Sequence, residues 1–529
     1  MESFEFLRFS WASRAVHTVA CAMLVAVAGC ASLPKDVERT PSSAFTDTSD
    51  TRLARGLAAA VAANPGKTGV YPLAHGRDAF AARLLLVRAA ERSLDLQYYI
   101  WRPDTSGSLL SKELWDAAER GVRVRLLLDD ANTKGLDEAI AALDAHPNIE
   151  VRLFNPFANR AWRIGDLAGD FSRVNRRMHN KSFTADNQAS IVGGRNIGNE
   201  YLGADSAVEF ADLDVLVAGA VVRDISAEFD AYWNSESAYP ASSIIGGTPE
   251  ATSEQMRQAW AKVAEKPESA KYVDAVRNTQ LLKQLLGGEL SLEWVNARLV
   301  ADDPAKVLHP PEQAELHMAP LLEAALGRPE RELELVSPYF VPTKEGTAGL
   351  RALADRGVQI RVLTNSLAAT DVAPVYAGYA KYRKDILRGG NVRLFELKPT
   401  AAQEEKDDDE KRQRIGGSSD ASLHAKTFGV DRTRIFVGSF NLDPRSARLN
   451  TEMGVVLESP TLATRLTDLF DSGIPHAAYE VRLNADGSDV EWIEQTASGE
   501  VRHESTPGVG AFKLFGVWFL SILPIEWLL

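Results

Sequence analysis

The chain of 529 residues is poor in cysteine: there are two, Cys21 and Cys30, both near the N-terminus. The body of the protein therefore has neither a disulfide nor a thiolate metal cage, and the pair reads as processing chemistry. A cationic surplus is missing too. Lysine and arginine number 59 against 72 aspartates and glutamates, a net charge of −13, which argues against a dedicated nucleic-acid binder. Nor is there an apolar run of transmembrane length. The best candidates, Ala15 to Val27 and Phe512 to Leu523, fall short of the ~20 residues that a spanning helix needs. What remains, 45% apolar and 25% charged residues, is globular, and the length allows two to four domains.

The first apolar stretch follows Arg8 and Arg14 and ends in Val27-Ala28-Gly29-Cys30. Its shortness and small-residue box resemble a bacterial lipoprotein signal over 1–29, cleaved so that Cys30 is lipidated, rather than an uncleaved anchor. Ala31, where an aspartate would retain the protein in the inner membrane, implies a periplasm-facing lipoprotein of the outer membrane. Residues 30–70 show no sustained apolar period and read as a tether.

One phrase is written twice. His179-Asn180-Lys181 is followed by Asp186 and by Gly193 to Asn196; His424-Ala425-Lys426 is followed by Asp431 and by Gly438 to Asn441, at identical offsets. A single His-x-Lys-x4-Asp is a weak motif; two copies with the same downstream Asn are not chance. The duplication reaches further. Ser93 to Ile100 and Glu332 to Val341 read as first strands, Gly121 to Leu128 and Gly357 to Leu363 as second strands, Ile149 to Phe154 and Asn391 to Phe395 as third strands. Helical segments such as Leu109 to Arg120 intervene, so each unit is α/β, a mixed sheet flanked by helices. The units are placed at 71–240 and 311–480, packed with pseudo-two-fold symmetry around one active site. A connecting insertion fills 241–310. Residues 481–529 form a hairpin and an apolar tail, which either packs on the core or lies in a membrane interface with Trp518 and Trp527 at headgroup depth. The charged run Glu404 to Arg412 reads as a solvated loop.

In an extended segment residues two apart share a face, so His179 and Lys181 project together, as do His424 and Lys426. An imidazole beside an ammonium suits an anionic substrate whose oxygens the lysine neutralises. Ala189 to Val192 and Thr433 to Val437 read as return strands that deliver Gly-x-x-Asn, where Asn196 and Asn441 offer amide N–H donors. Aligning the repeats places Asp212 opposite Glu452, carboxylates that fix a histidine tautomer and stabilise its imidazolium; Asp214 is the alternative to Asp212. A metal centre fits poorly: lysine is not a usual ligand and no His-x3-His spacing is present.

The double motif is similar to that of the phospholipase D superfamily. Within it, Arg176 to Lys181, Gly193 to Asn196 and Leu523 to Leu529 resemble the bacterial cardiolipin synthases of the C type. The resemblance implies metal-free transfer at a phosphodiester, without cofactor, by catalytic residues His179, Lys181, Asp186, His424, Lys426 and Asp431, with Asp212 and Glu452 behind the histidines. His179 is the expected nucleophile, forming a phosphohistidine, and His424 the acid and base, although near-symmetry permits the exchange. Asp186 and Asp431 are expected to anchor local structure rather than touch phosphorus. Asn196, Asn441 and Ser439 are expected at the phosphate. Arg173, Arg176 and Arg177, which precede the first motif only, are expected to recognise an anionic headgroup. The implied substrates are phosphatidylglycerol and a second phospholipid at a membrane surface, with no nucleic acid and no obligate protein partner. The alternatives are a hydrolytic phospholipase D, a nuclease or a non-catalytic membrane scaffold.

Overall fold

The computed structural model describes residues 32–204, 210–246, 253–370, 372–399, 422–523 and 526–529. The signal-like segment with Cys30 and the charged run 404–412 lie outside them. In chain order the strands of the first half are β1 (Thr68–Leu73), β2 (Ser93–Tyr98), β3 (Arg123–Asp129), β4 (Ile149–Phe154), β5 (Ser182–Ala185), β6 (Ala189–Gly193), β7 (Phe210–Ala211), β8 (Asp214–Gly219) and β9 (Ala238–Pro240). The insertion supplies β10 (Glu293–Val295) and β11 (Ala297–Ala301). The second half adds β12 (Glu332–Val336), β13 (Gln359–Asn365), β14 (Val392–Leu397), β15 (Ser422–Leu423), β16 (Lys426–Val430), β17 (Arg434–Gly438), β18 (Met453–Leu457), β19 (Ala478–Leu483), β20 (Val490–Thr496) and β21 (Gly499–His503).

One sheet runs β10-β1-β8-β6-β5-β2-β3-β4-β9, the other β11-β18-β17-β16-β12-β13-β14-β19-β20-β21. In both, three parallel strands (β2-β3-β4 and β12-β13-β14) continue into antiparallel neighbours, so the repeats share one strand order through the centre of each sheet. These central strands are apolar on alternate residues. Leu94, Leu96 and Tyr98 of β2 meet Val124, Leu126 and Leu128 of β3 in one core, while the opposite face buries Asp95 against Arg125 at 2.6 Å. The two sheets are joined by a third cluster that holds Val192, Val215 and Val217 from one repeat and Val437, Val455 and Leu457 from the other. Each such side chain contributes about 1.5–3 kcal/mol on burial, which makes the repeat interface as firm as a domain core.

The tether expectation needs correction. A helix, Arg52–Ala63, with Thr51 as its N-cap, lies inside 30–70, and β1 begins there. Upstream, the chain is strapped to the first repeat through its backbone: Arg125 donates to the Ser42 carbonyl at 2.9 Å, Arg152 to the Thr40 carbonyl at 2.6 Å, and Ala44 N–H to Asp230 at 2.9 Å. Such bonds leave no apolar period in the sequence. The insertion is also more than a connector. Its β10 pairs with β1 and its β11 with β18, so consecutive strands serve the two sheets. Its helices Ser253–Ala264 and Pro267–Arg277 bury Trp260, Tyr272 and Val276 in the first repeat.

Beyond the second repeat, β19 to β21 extend its sheet by three strands rather than by an isolated hairpin. The helix Ala511–Ser521 packs through Val517, Leu514 and Leu520 against that repeat's core. Its other face is bare: Phe512 is 92% exposed and Trp518 57%. One face of this helix thus packs on the core while the other is exposed. Among the described residues no helix is long and apolar enough to cross a membrane.

Candidate active site

Each His-x-Lys phrase is an extended lead into the sheet's central antiparallel strand, β5 or β16, and each lead is held by the opposite repeat. Met178 bridges Thr451, and the His179 N–H donates to the Thr451 carbonyl at 2.8 Å. Symmetrically, β15 pairs with β7 and the His424 N–H donates to the Ala211 carbonyl at 2.8 Å. The side chains cross over in the same way. His179 Nδ1 lies 2.8 Å from Glu452 and His424 Nδ1 2.6 Å from Asp212, so each histidine takes its carboxylate from the other repeat. Asp214, the alternative, is buried on Arg83 at 2.9 Å.

The electrostatics follow from burial. Desolvation pulls the His179 imidazole down to about 4, with Lys181 adding to the fall and Glu452 opposing it. His424 is lowered for the same reasons, burial first and then Lys426. Each histidine also feels the opposite repeat's lysine, which places all four groups in one field. Burial brings the Lys181 ammonium down to about 7. Glu452 is lowered, its burial outweighed by His179 and its hydrogen bonds. The result is a pair of neutral imidazoles, each with Nδ1 facing an ionised carboxylate and Nε2 left for chemistry. Lys181 and Lys426 each donate to the carbonyl of their own motif's histidine, which fixes the ammonium beside the ring.

The family is decided by comparison of the whole chain. Residues 85–233 and 322–474 each match the family model described as cardiolipin synthase, PLD-like domain. The chain belongs to this family. It is 45% identical over 478 residues to cardiolipin synthase C of Escherichia coli (strain K12), covering 90% of this chain and 100% of that protein. It is 26% identical over 408 residues to cardiolipin synthase A of Pseudomonas entomophila, covering 77% of this chain and 68% of that protein. Among solved structures, the phosphatidylserine synthase of Haemophilus influenzae shares the fold at a TM-score of 0.52 and 15% identity, over 81% of this chain and 92% of that one.

The family motif's third member stands apart from the chemistry. Asp186 and Asp431 lie beyond the far ends of β5 and β16, in left-handed backbone at φ 51° and 52°. Each carboxylate accepts three consecutive backbone N–H groups, from Glu91, Arg92 and Ser93 in one repeat and from Glu330, Arg331 and Glu332 in the other. They pin the start of β2 and β12, the anchoring role expected of them. Asn196 accepts the Ile100 N–H at 3.1 Å and keeps its Nδ2 buried beside the Tyr201 hydroxyl. Asn441 carries a buried, unpartnered Oδ1; a half-turn of the amide presents its N–H instead.

Other expectations are corrected. Ser439 does not face a phosphate: its hydroxyl donates to Glu452 at 2.5 Å and accepts the Met453 N–H at 3.0 Å, so it fixes the carboxylate behind His179. Its counterpart Gly194 has no room for a side chain, because a Cβ there would lie 2.2 Å from Asp212. The arginines before the first motif are internally engaged. Arg177 is buried and donates to the Val174 and Asn155 carbonyls. Arg173 binds Asp170 and the Pro156 carbonyl, and Arg176 binds the His309 carbonyl. Arg173 and Arg177 are thus largely engaged within the protein, whereas Arg176 is held through one terminal nitrogen, Nη1.

Several supports carried no signal in the motif. Asp302, from the insertion, accepts the Glu452 N–H at 2.8 Å and is itself paired with buried Lys306 at 2.9 Å. Ser446 donates to the second Glu452 oxygen at 2.7 Å. Asn180 turns away from the site and donates to Glu228, whose carboxyl burial pushes up to about 8. Asp129 and Asn365, at matching ends of β3 and β13, receive the N–H of Met178 and Leu423, the residues before the histidines. Aligned strand ends would have found that last pair.

Proposed function

We propose that the chain is a phosphatidyltransferase that makes cardiolipin from phosphatidylglycerol and a second phospholipid. The observation that carries this reading is the double crossover, two neutral histidines each backed by the other repeat's carboxylate, in a chain of the cardiolipin synthase family. In the first step Nε2 of His179 attacks the phosphorus and the bond to the leaving glycerol oxygen breaks; His424, which takes up a solvent proton at Nε2 as the anionic substrate enters, supplies that oxygen's proton. In the second, the hydroxyl of the acceptor lipid gives its proton to His424 and attacks, releasing His179. Lys181, Lys426, Asn196 and Asn441 hold the non-bridging oxygens as charge shifts onto them. Among the described residues two hydroxyls draw on Glu452 and none on Asp212, which supports His424 as the proton carrier.

Membrane attachment is part of the proposal. Cys30 would tether the mature chain in the bacterial cell envelope, facing the periplasm, at the outer membrane by its neighbour Ala31. The bare aromatic face of the Ala511–Ser521 helix would lie in the interface. Purified mature protein with phosphatidylglycerol, alone or with phosphatidylethanolamine, in detergent without added metal, is expected to form cardiolipin. His179→Ala is expected to abolish it. Release of phosphatidic acid alone would establish the hydrolase, and unchanged turnover in the variant would overturn the enzyme reading.

A further inference from the structure

The repeats share their central strand order but not what covers them. In the first, the helix Thr105–Glu119 has ten of its fifteen residues buried and lies under the insertion's Ser253–Ala264 helix, where Trp260 meets Trp115. Its counterpart in the second repeat, Thr343–Asp355, buries two of thirteen, Thr347 and Ala354. Among the described residues no helix takes the place of Ser253–Ala264 above it. The bare flank instead borders a cleft of about 660 Å³, lined by Phe340, Leu350, Leu353 and Phe440 and closed at one rim by Trp527. That volume and lining are those of a ligand cleft, roughly 300–1,000 Å³ and mostly apolar.

Three observations say what it takes. Phe440 stands between Ser439 and Asn441, so the cleft shares a wall with the loop that offers an amide to the substrate phosphate. Its charges are unequal in their engagement. The carboxylates of Glu345, Asp443 and Glu526 are bound by Thr343, Ser446 and Tyr382, whereas the exposed Arg448 makes no hydrogen bond or ion pair among the described residues. The apolar lining complements an acyl chain, and Arg448 is the one cation among the lining residues. Finally, Trp527 belongs both to the cleft rim and to the exposed apolar surface that the Ala511–Ser521 helix continues. The tail is fixed at this rim, because Arg445, three residues beyond Leu442, binds the Leu528 and Leu529 carbonyls.

We propose that this cleft receives an acyl chain of the anionic phospholipid whose phosphate lies at the Asn441 loop, an assignment that rests on the phosphatidyltransferase reading. In the first repeat the cavity beside the matching helix, bordered by Gly107, Ser111 and the insertion's Trp260, is only about 40 Å³, so the two lipid molecules of one turnover are held unequally.

Gly349 lines the cleft, and a Cβ built on it meets nothing within 4 Å. Gly349→Leu therefore places a side chain in the cleft without displacing backbone, and Leu353→Phe narrows the same face one turn further on. The measurement is kcat/KM for dioleoyl and for dihexanoyl phosphatidylglycerol in mixed micelles, with wild type and both variants. The expected result is a fall of about tenfold in the long-chain to short-chain ratio, equivalent to about two methylene groups left in water. A ratio unchanged in both variants, with wild type turning over both lipids, would overturn the cleft assignment alone. Wild type that turns over neither lipid would overturn the reaction on which it rests.

Discussion

At the residue scale the site is defined by what stands behind each reacting group. Glu452 holds the His179 ring at Nδ1 and, in the proposed reaction, stabilises its positive charge once a bond forms at Nε2. Glu452→Gln keeps the shape and removes the charge, so kcat is expected to fall about a hundredfold or more with KM little changed, read by steady-state kinetics on phosphatidylglycerol. The pH profile has a stated sign. His179, lowered to about 4, is already neutral above that pH, while Lys181, lowered to about 7, loses its charge as pH rises through that value. On a water-soluble phosphodiester, kcat/KM is expected to climb through about pH 4 and decline above about pH 7. Lys181→Arg is expected to move the alkaline limb upward, since guanidinium keeps its proton.

At the element scale, strand starts and edges decide what the motif can do. Asp186 gathers three N–H groups at the head of β2, far along β5 from the histidine. Asp186→Ala is expected to cost about 2–4 kcal/mol, seen as a lowered Tm, with kcat of the surviving folded protein nearly intact; a normal Tm with lost turnover would place it in the chemistry instead. The alternating strands, the return strands and the paired carboxylates were legible, because a repeat lets each copy check the other. The N-terminal strap was not. It is held through its own backbone by Arg125, Arg152 and Asp230, and such bonds leave no trace in side-chain periodicity. Ser439, Arg173 and Arg177 show a related limit: residue type announces a donor, but only the fold says where the donor is spent. The tail helix has a separate consequence. Changing Phe512, Phe515 and Trp518 together to serine is expected to weaken sedimentation with phosphatidylglycerol vesicles severalfold while leaving turnover of a soluble phosphodiester in place.

At the scale of the whole molecule, pseudo-symmetry was readable from two phrases, but the exchange of carboxylates was not, since linear spacing cannot tell which histidine an aligned acid will reach. The exchange makes the halves interdependent. Residues 32–301 and 302–529 expressed apart are expected to be inactive, because each would hold a histidine without its acid. Co-expressed, they are expected to regain activity only where they co-purify. β11 reinforces this, as it ends the first piece and pairs with β18 of the second.

That mutual loan of acids also sets the moment at which the protein becomes dangerous to its surroundings. A chain emerging from its N-terminus displays His179 long before Glu452 has been made, and a misassembled one never unites them. The capacity to cut a lipid therefore arrives with the last repeat, and a defective copy is silent rather than destructive.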